Sequence, residues 1–378
     1  MREIQQFSLS KIRLEQNDLK NAKSTKYLGQ EKVAELSDLI KEQTQLRDLN
    51  LIMNYNNMED TGAIKLGQSL SNLKDLQNLN LQLRQILVQR NLVFKQKQII
   101  LRGNQIGNSG AVGLAEGFNE LKNLQKLNFN IVQKSFITFK ILRQYRPFNY
   151  LDKNEIQQEQ YFILLQSLSK MTRLTDVKIV LQYELQIQNH LQFNQLNKRE
   201  IKSEGCKFLC QALQKCNLLQ FLNVDLVFNG IDQIGAAYIG QMLTQLHQLK
   251  NLELNLFFNP IAKQGMEHLL VGLSECKDLE YLSLNLSNTG EKGEEGGIIL
   301  AKYLNLLGKL KTLSLLISSS FIRDKGYEAL QGAFLNLKCL NKLYLGLDNN
   351  QINQNKKSNI LQRFKRKSTK LIKFDLYI

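Results

Sequence analysis

One frame of apolar and polar positions, L-x-x-L-x-L-x-L, recurs along the chain. It is clearest in LQNLNLQL from Leu76, LQKLNFNI from Leu124, LQFLNVDL from Leu219 and LKNLELNL from Leu249. It returns in LEYLSLNL from Leu279, LKTLSLLI from Leu310 and LNKLYLGL from Leu340, with looser copies at Leu46, Leu174 and Leu371. Strict alternation in the second half of each copy predicts a strand with one apolar face. Between copies the pattern changes. Asn104-Gln-Ile106, Asn229-Gly-Ile231 and Asn259-Pro-Ile261 follow the strand segments, then a glycine, then leucines at helical spacing. Leu66, Leu70 and Leu73 show that spacing, as do Leu114, Phe118 and Leu121. Each unit therefore joins a period-two strand to a period-3.6 helix, and the asparagine is expected to bond turn backbone where strand pairing stops.

Successive copies start 30, 48, 50, 45, 30, 30, 31, 30 and 31 residues apart. One strand and one helix cannot bury both of their apolar faces alone, so neighbouring units must stack into a continuous core. Helices are wider than strands, which predicts curvature with the strands inside. Over about residues 30–378 the chain resembles the leucine-rich repeat proteins of the ribonuclease-inhibitor-like type, with an extra apolar residue at the strand's end (Leu83, Leu256, Leu286). The resemblance implies an α/β leucine-rich repeat solenoid, a horseshoe of about ten repeats. Its parallel β-sheet would line the concave face and its helices the convex face. Residues 1–29 are expected to be an N-terminal segment, partly disordered or capping, and 30–378 a single leucine-rich repeat domain. That family shares a scaffold rather than a chemistry, so the expected function is non-catalytic protein binding.

Three long intervals place insertions at about 84–101, 132–151 and 182–196, all at the exit from a strand. Insertions at equivalent points of consecutive repeats are expected to project side by side from one rim. Charge then acquires a location. The chain carries a formal net charge of +16. The first insertion holds Arg84, Arg90, Lys95 and Lys97, the second Lys134, Lys140, Arg143 and Arg146, and neither holds an acid. The third is rich in Gln and Asn with Glu184, while the stretch 348–370 is strongly basic. A basic rim with Phe94, Phe136, Phe139 and Tyr145 interleaved suits nucleic acid, an acidic membrane or an acidic protein. Two plainer readings stand beside it. The insertions are solvated basic loops, or retained short introns, because LQLR breaks off at residue 84 and resumes as LRGNQIG at 101. The helix expected around Ile360, Leu361 and Phe364 reads as a cap with a basic outer side.

Candidate chemistry is sparse. There is no phosphate-binding glycine loop, no H-E-x-x-H and no G-x-S-x-G. Arg47-Asp48-Leu49 superficially matches a kinase catalytic loop, but Leu46 precedes it and Met53 stands where the metal-binding Asn belongs. His190, His247 and His268 are far apart. No catalytic, metal or cofactor residue emerges, and no cofactor is expected. Five cysteines without CxxC spacing suit reduced, buried thiols and a cytoplasmic protein, with a nuclear location open. The N-terminus lacks the apolar core of a signal peptide, and no run is long enough for a transmembrane segment.

Binding is expected on the outward strand positions of the concave face. The groove is centred on Asp225, Glu253, Asn255, Ser283 and Asn285, with Tyr344 and Tyr377 as anchors and a protein as partner. The competing account is that small amides and serines tolerate side-by-side stacking. Rival functions are a GTPase-activating protein of the leucine-rich repeat type, a ubiquitin-ligase recognition subunit, and a nucleic-acid or acidic-surface binder acting through the insertions.

Overall fold

The structure, a computed structural model, describes residues 11–14, 29–53, 56, 58–83, 104, 106–130, 133–135, 158–181, 183–185, 201–353 and 373–377. They fall into two units, Met1–Leu174 with Ile179–Arg199, and Thr175–Lys178 with Glu200–Ile378.

In the first unit, β1 (Lys11–Leu14), β2 (Asp48–Ile52), β3 (Asn78–Gln82) and β4 (Lys126–Asn130) lie side by side in chain order, all parallel. Leucine sits on leucine through the register, Leu49 on Leu79 on Leu127. The helices are α1 (Gly29–Lys41), α2 (Glu59–Leu70), α3 (Asn108–Asn119) and α4 (Gln158–Ser167). β1 belongs to the segment that the repeat frame leaves out, and it pairs with β2 as a further strand. Two short strands, β5 (Gln133–Ser135) and β7 (Tyr183–Leu185), follow the second and third of the long-interval strands and pair in parallel with each other. Between them in the chain, β6 (Asp176–Val180) lies where the two units divide.

The second unit alternates α5 (Lys202–Leu213), β8 (Phe221–Asp225), α6 (Gln233–Leu243), β9 (Asn251–Asn255), α7 (Ala262–Leu273) and β10 (Tyr281–Asn285). It continues with α8 (Gly293–Leu304), β11 (Thr312–Leu316), α9 (Arg323–Asn336), β12 (Lys342–Gly346) and β13 (Lys373–Tyr377). β8 to β13 are neighbours in chain order and parallel. This strand–helix repetition around parallel strands is the α/β leucine-rich repeat fold.

From β8 to β11 the second and fourth residues of each strand are buried and the first, third and fifth half-buried. The strand residues Leu222, Leu252, Leu282 and Leu313 and the helix residues Leu213, Leu243, Leu273 and Leu304 are all buried. Each fully buried leucine contributes about 1.5–3 kcal/mol, so the repeated core dominates stability. The extra apolar residue lengthens the ladder by one step. Leu226 and Leu256, both buried, donate their N–H groups to the last carbonyl of the next strand, at 2.9 and 3.0 Å.

The asparagine after the strand works across repeats. Asn259 Oδ1 accepts from the N–H groups of Asn229 and Ile231 at 3.1 and 2.9 Å. Its Nδ2 donates to the carbonyls of Leu226 and Leu256, both at 2.9 Å. Asn350 repeats this arrangement on Ser320, Ile322, Ile317 and Leu347. These groups are buried beyond the reach of water, so one amide removes several desolvation penalties at once.

Two helix starts, those of α6 and α3, are served by carboxylates. Asp232 Oδ1 accepts from Ile234 and Gly235 N–H at the head of α6, and Ser203 Oγ donates to it at 2.6 Å. Burial opposes the Asp232 charge, but these bonds outweigh it and hold the carboxyl below its ordinary value. In α3 the cap residue is Gly107, which has no side chain to offer, and Asp60 of α2 accepts from Gly107 and Gly110 N–H instead. Neighbouring helices meet at glycines. A Cβ on Gly67 would lie 1.9 Å from the Gly113 carbonyl oxygen, and one on Gly272 equally close to that of Gly240.

Candidate functional site

Parallel sheets are ordinarily covered on both faces. In the second unit the face away from the helices is left half-exposed and carries ordered rows of side chains. The register puts Phe221, Asn251, Tyr281 and Thr312 in one row, Asn223, Glu253, Ser283 and Ser314 in the next, and Asp225, Asn255, Asn285 and Leu316 in the third. Tyr344 extends the middle row on β12, and Tyr377 stands opposite Gly346 at the far end of the third.

These residues are not equivalent. Asp225, Asn255 and Asn285 each accept, through Oδ1, the N–H two residues on, at 3.3, 3.3 and 3.1 Å. Those bonds close the strand exits, so the third row has a structural reason to be acid or amide whatever it binds. Glu253 is different. It accepts from Asn223 Nδ2 on the adjacent strand and has no structural turn to hold. Tyr281 lies on the strand beyond. Burial pushes its phenol pKa up, the charge of Glu253 adds to that, Ser283 opposes it and Tyr344 raises it slightly. The register sets Glu253 opposite Ser283, with Tyr281 diagonal to it and Tyr344 farther along the same row.

At the strand exits Phe228, Phe257 and Phe258 form a half-exposed aromatic cluster beside Asp225 and Asn255. The Phe228 and Phe258 rings are 4.4 Å apart, centroid to centroid, and tilted by 31°. Both residues have positive φ, 56° and 59°.

The sequence frame had brought together Asp225, Glu253, Asn255, Ser283, Asn285 and Tyr344, and the structure sets all six on this face. Reading outward positions from the middle of each strand missed the first row, and with it Tyr281. It also missed the phenylalanine rim. Aligned, the exits read LVFN, LFFN, LSNT, ISSS and LDNN, so an aromatic in a column otherwise of Asn and Ser was the available signal. Of the basic rim, Arg84, Arg90, Lys95, Lys97, Lys140, Arg143 and Arg146 lie outside the described residues, and Lys134 is placed by its backbone in β5. The basic stretch 354–370 and its expected helix also lie outside them.

Among the described residues no three His, Cys, Asp or Glu side chains are grouped to hold a metal, and no helix is long and apolar enough to cross a membrane. No family model and no curated protein matches the sequence. Among solved structures, a leucine-rich repeat protein of Leptospira interrogans is similar at 14% identity, over 97% of this chain and 99% of that one, with a TM-score of 0.32. Nothing further follows from a likeness that low; the repeat class rests on the strand register and the shared asparagine bonds.

Proposed function

We propose that the chain is a non-catalytic scaffold of the ribonuclease-inhibitor-like repeat type, acting in the cytoplasm, that binds a protein on the open sheet face of its second unit. The contact is centred on Asp225, Glu253, Asn255, Ser283 and Asn285, with Tyr281 added and Tyr344 and Tyr377 toward one end. The observation that carries this reading is the half-exposed face of a parallel sheet, bearing tyrosines and carboxylates over consecutive strands. Aromatic side chains with polar tips supply large contact area at small entropy cost, as hot spots do.

A photo-crosslinking amino acid at Ser283, compared with one at Ile298 on α8, tests the reading in cells. Ile298 is 48% exposed and sits on the helix layer. Adducts with a defined polypeptide should form from position 283 and not from 298. Equal adducts from both positions, or none from 283, would end it.

A further inference from the structure

We propose that the strip from the phenylalanine rim across β8, β9 and β10 seats an extended basic segment of a partner polypeptide, with an arginine beside Glu253 and Tyr281 and an apolar side chain on Phe228 and Phe258. This rests on the preceding reading of the sheet face and says what kind of chain it takes.

Charge decides the sign of the ligand. The whole chain carries +16, yet the outward positions of β8 to β11 hold two carboxylates, Asp225 and Glu253, and no Lys, Arg or His. Cations return only at the flanks, Lys178 on β6 and Lys342 on β12. At the strand entries Asp278 and Glu280 are already paired, with Lys309 at 2.5 Å and Lys311 at 2.8 Å. Glu253 is held by the Asn223 amide, which leaves its negative charge uncompensated. A half-buried carboxylate next to a tyrosine ring is matched by a guanidinium, which bonds the one and stacks on the other. An acidic segment or a phosphate backbone would instead bring like charges together.

The rim supplies the second contact. Five repeats of this unit place a residue at positive φ just after the strand. Three use Asn288, Ser319 and Asn349, and two use Phe228 and Phe258. A left-handed backbone suits asparagine and penalises a bulky side chain. Half-exposed phenylalanines held there against local preference, in contact across repeats, form an apolar platform that the core does not require. Three extended steps, about 10 Å, separate Glu253 from Leu256, and the turn that carries Phe258 follows directly, so the two contacts lie roughly four extended residues apart. The segment therefore carries its arginine and its apolar residue about four positions apart.

The test uses the full chain and three fluorescein-labelled dodecapeptides read by fluorescence anisotropy. The first has two arginines and a leucine four positions on, the second has glutamates for the arginines, and the third has serine for the leucine. Binding should be at least tenfold tighter for the first than the second, and Glu253→Gln or Tyr281→Ala should each weaken it about tenfold. Phe258→Asn should weaken the leucine peptide several-fold, leave the serine peptide unchanged, and raise the thermal midpoint of the free protein. Lost binding with gained stability separates a missing contact from a damaged fold. Equal or tighter binding of the glutamate peptide, no binding of the arginine peptide, or indifference to Glu253→Gln would overturn the proposal. If position 283 still captures a neutral or acidic partner segment, this inference fails alone. If it captures nothing, the reading beneath it fails too.

Discussion

Lys292 Nζ stands 2.7 Å from Thr289 Oγ1, and that hydroxyl donates to the Leu286 carbonyl at 2.7 Å, the bond that Asn259 and Asn350 make with an amide nitrogen. Lys292 is 3% exposed, and its ammonium also donates to the carbonyls of Leu286 and Gly290 and to Ser320 Oγ, at 3.4, 3.1 and 3.3 Å. In the Asn259 repeat the matching carbonyl, Leu256, is served by Nδ2. Threonine and serine occupy the asparagine column at 289 and 320; the Thr289 hydroxyl keeps one donor bond, and the Lys292 amine donates to both hydroxyls. It cannot replace the lost acceptor. Ile261 N–H has no amide oxygen to reach and turns back to the Asn259 carbonyl at 2.8 Å.

A buried amine of this kind makes stability depend on alkaline pH. Burial pushes the Lys292 pKa down to about 8, from an ordinary value of 10.5. The folded protein releases this proton near pH 8, while the unfolded chain keeps it to about 10.5. Within that window the unfolded state binds more protons, so the Lys292 contribution to stability rises with pH and is smallest below pH 8. Urea midpoints of the wild type relative to Lys292→Met should climb from pH 8 to pH 10. A difference that falls or stays flat would contradict this.

Rebuilding the missing asparagine should help. In Thr289→Asn with Lys292→Ala, the new amide has the carbonyls and N–H groups that Asn259 finds one repeat earlier. The double variant should exceed Lys292→Ala alone by about 1–2 kcal/mol in chemical denaturation, since several buried backbone groups regain partners. A double variant weaker than the single one would show that the turn at 286–292 has a different course from its neighbours.

Two glycines in helices should respond in opposite directions. An alanine Cβ at Gly272 would lie 1.9 Å from the Gly240 carbonyl oxygen, a contact only backbone movement relieves, so Gly272→Ala should cost more than about 2 kcal/mol. Gly332 in α9 has nothing within 4 Å of such a Cβ, and alanine there should stabilise by roughly 0.5–1 kcal/mol through helix propensity. Thermal unfolding of the two variants measures both.

Thiol labelling should find one cysteine in the native protein. Cys206, Cys210, Cys216 and Cys276 are buried and Cys339 is exposed. Burial also pushes the thiols of Cys216 and Cys276 up to about 12, away from the reactive thiolate. Intact mass after brief iodoacetamide treatment should show one adduct at Cys339, and five after denaturation.

The strand frame was legible because leucine periodicity follows directly from burial on one side, and Leu222, Leu252 and Leu282 needed no tertiary information. The middle and last rows of the face were legible for the same reason, as the complement of the buried set, whereas the first row with Tyr281 lies ahead of the strict alternation. What stayed hidden depends on contacts between repeats. Lys292 reads as one more surface cation in GEKGEEGG, and only the neighbouring repeats show that its amine is buried between two hydroxyls standing in the asparagine column. Lys11–Leu14 is too short to carry the frame, and its strand character comes from pairing with β2. Asp225, Asn255 and Asn285 looked like binding residues from polarity alone, whereas part of their polarity serves the backbone of their own exits.

The asparagine bonds give the second unit a direction. Asn350 holds the exit at 317–322 and Asn259 the exit at 226–231, so each turn is secured by the repeat that follows it in the chain. Fraying that begins at the carboxyl-terminal side therefore strips its predecessor of support and travels backward in steps. At Thr289 this dependence thins, because Ile261 N–H closes on the Asn259 carbonyl and the exit is tied to the next repeat by backbone bonds, Leu256 to Asn285, Phe258 to Ser287 and Ala262 to Thr289, without an asparagine amide. That seam is where stepwise melting should stall, leaving the repeats that carry Glu253 and Phe258 standing after the later ones have gone.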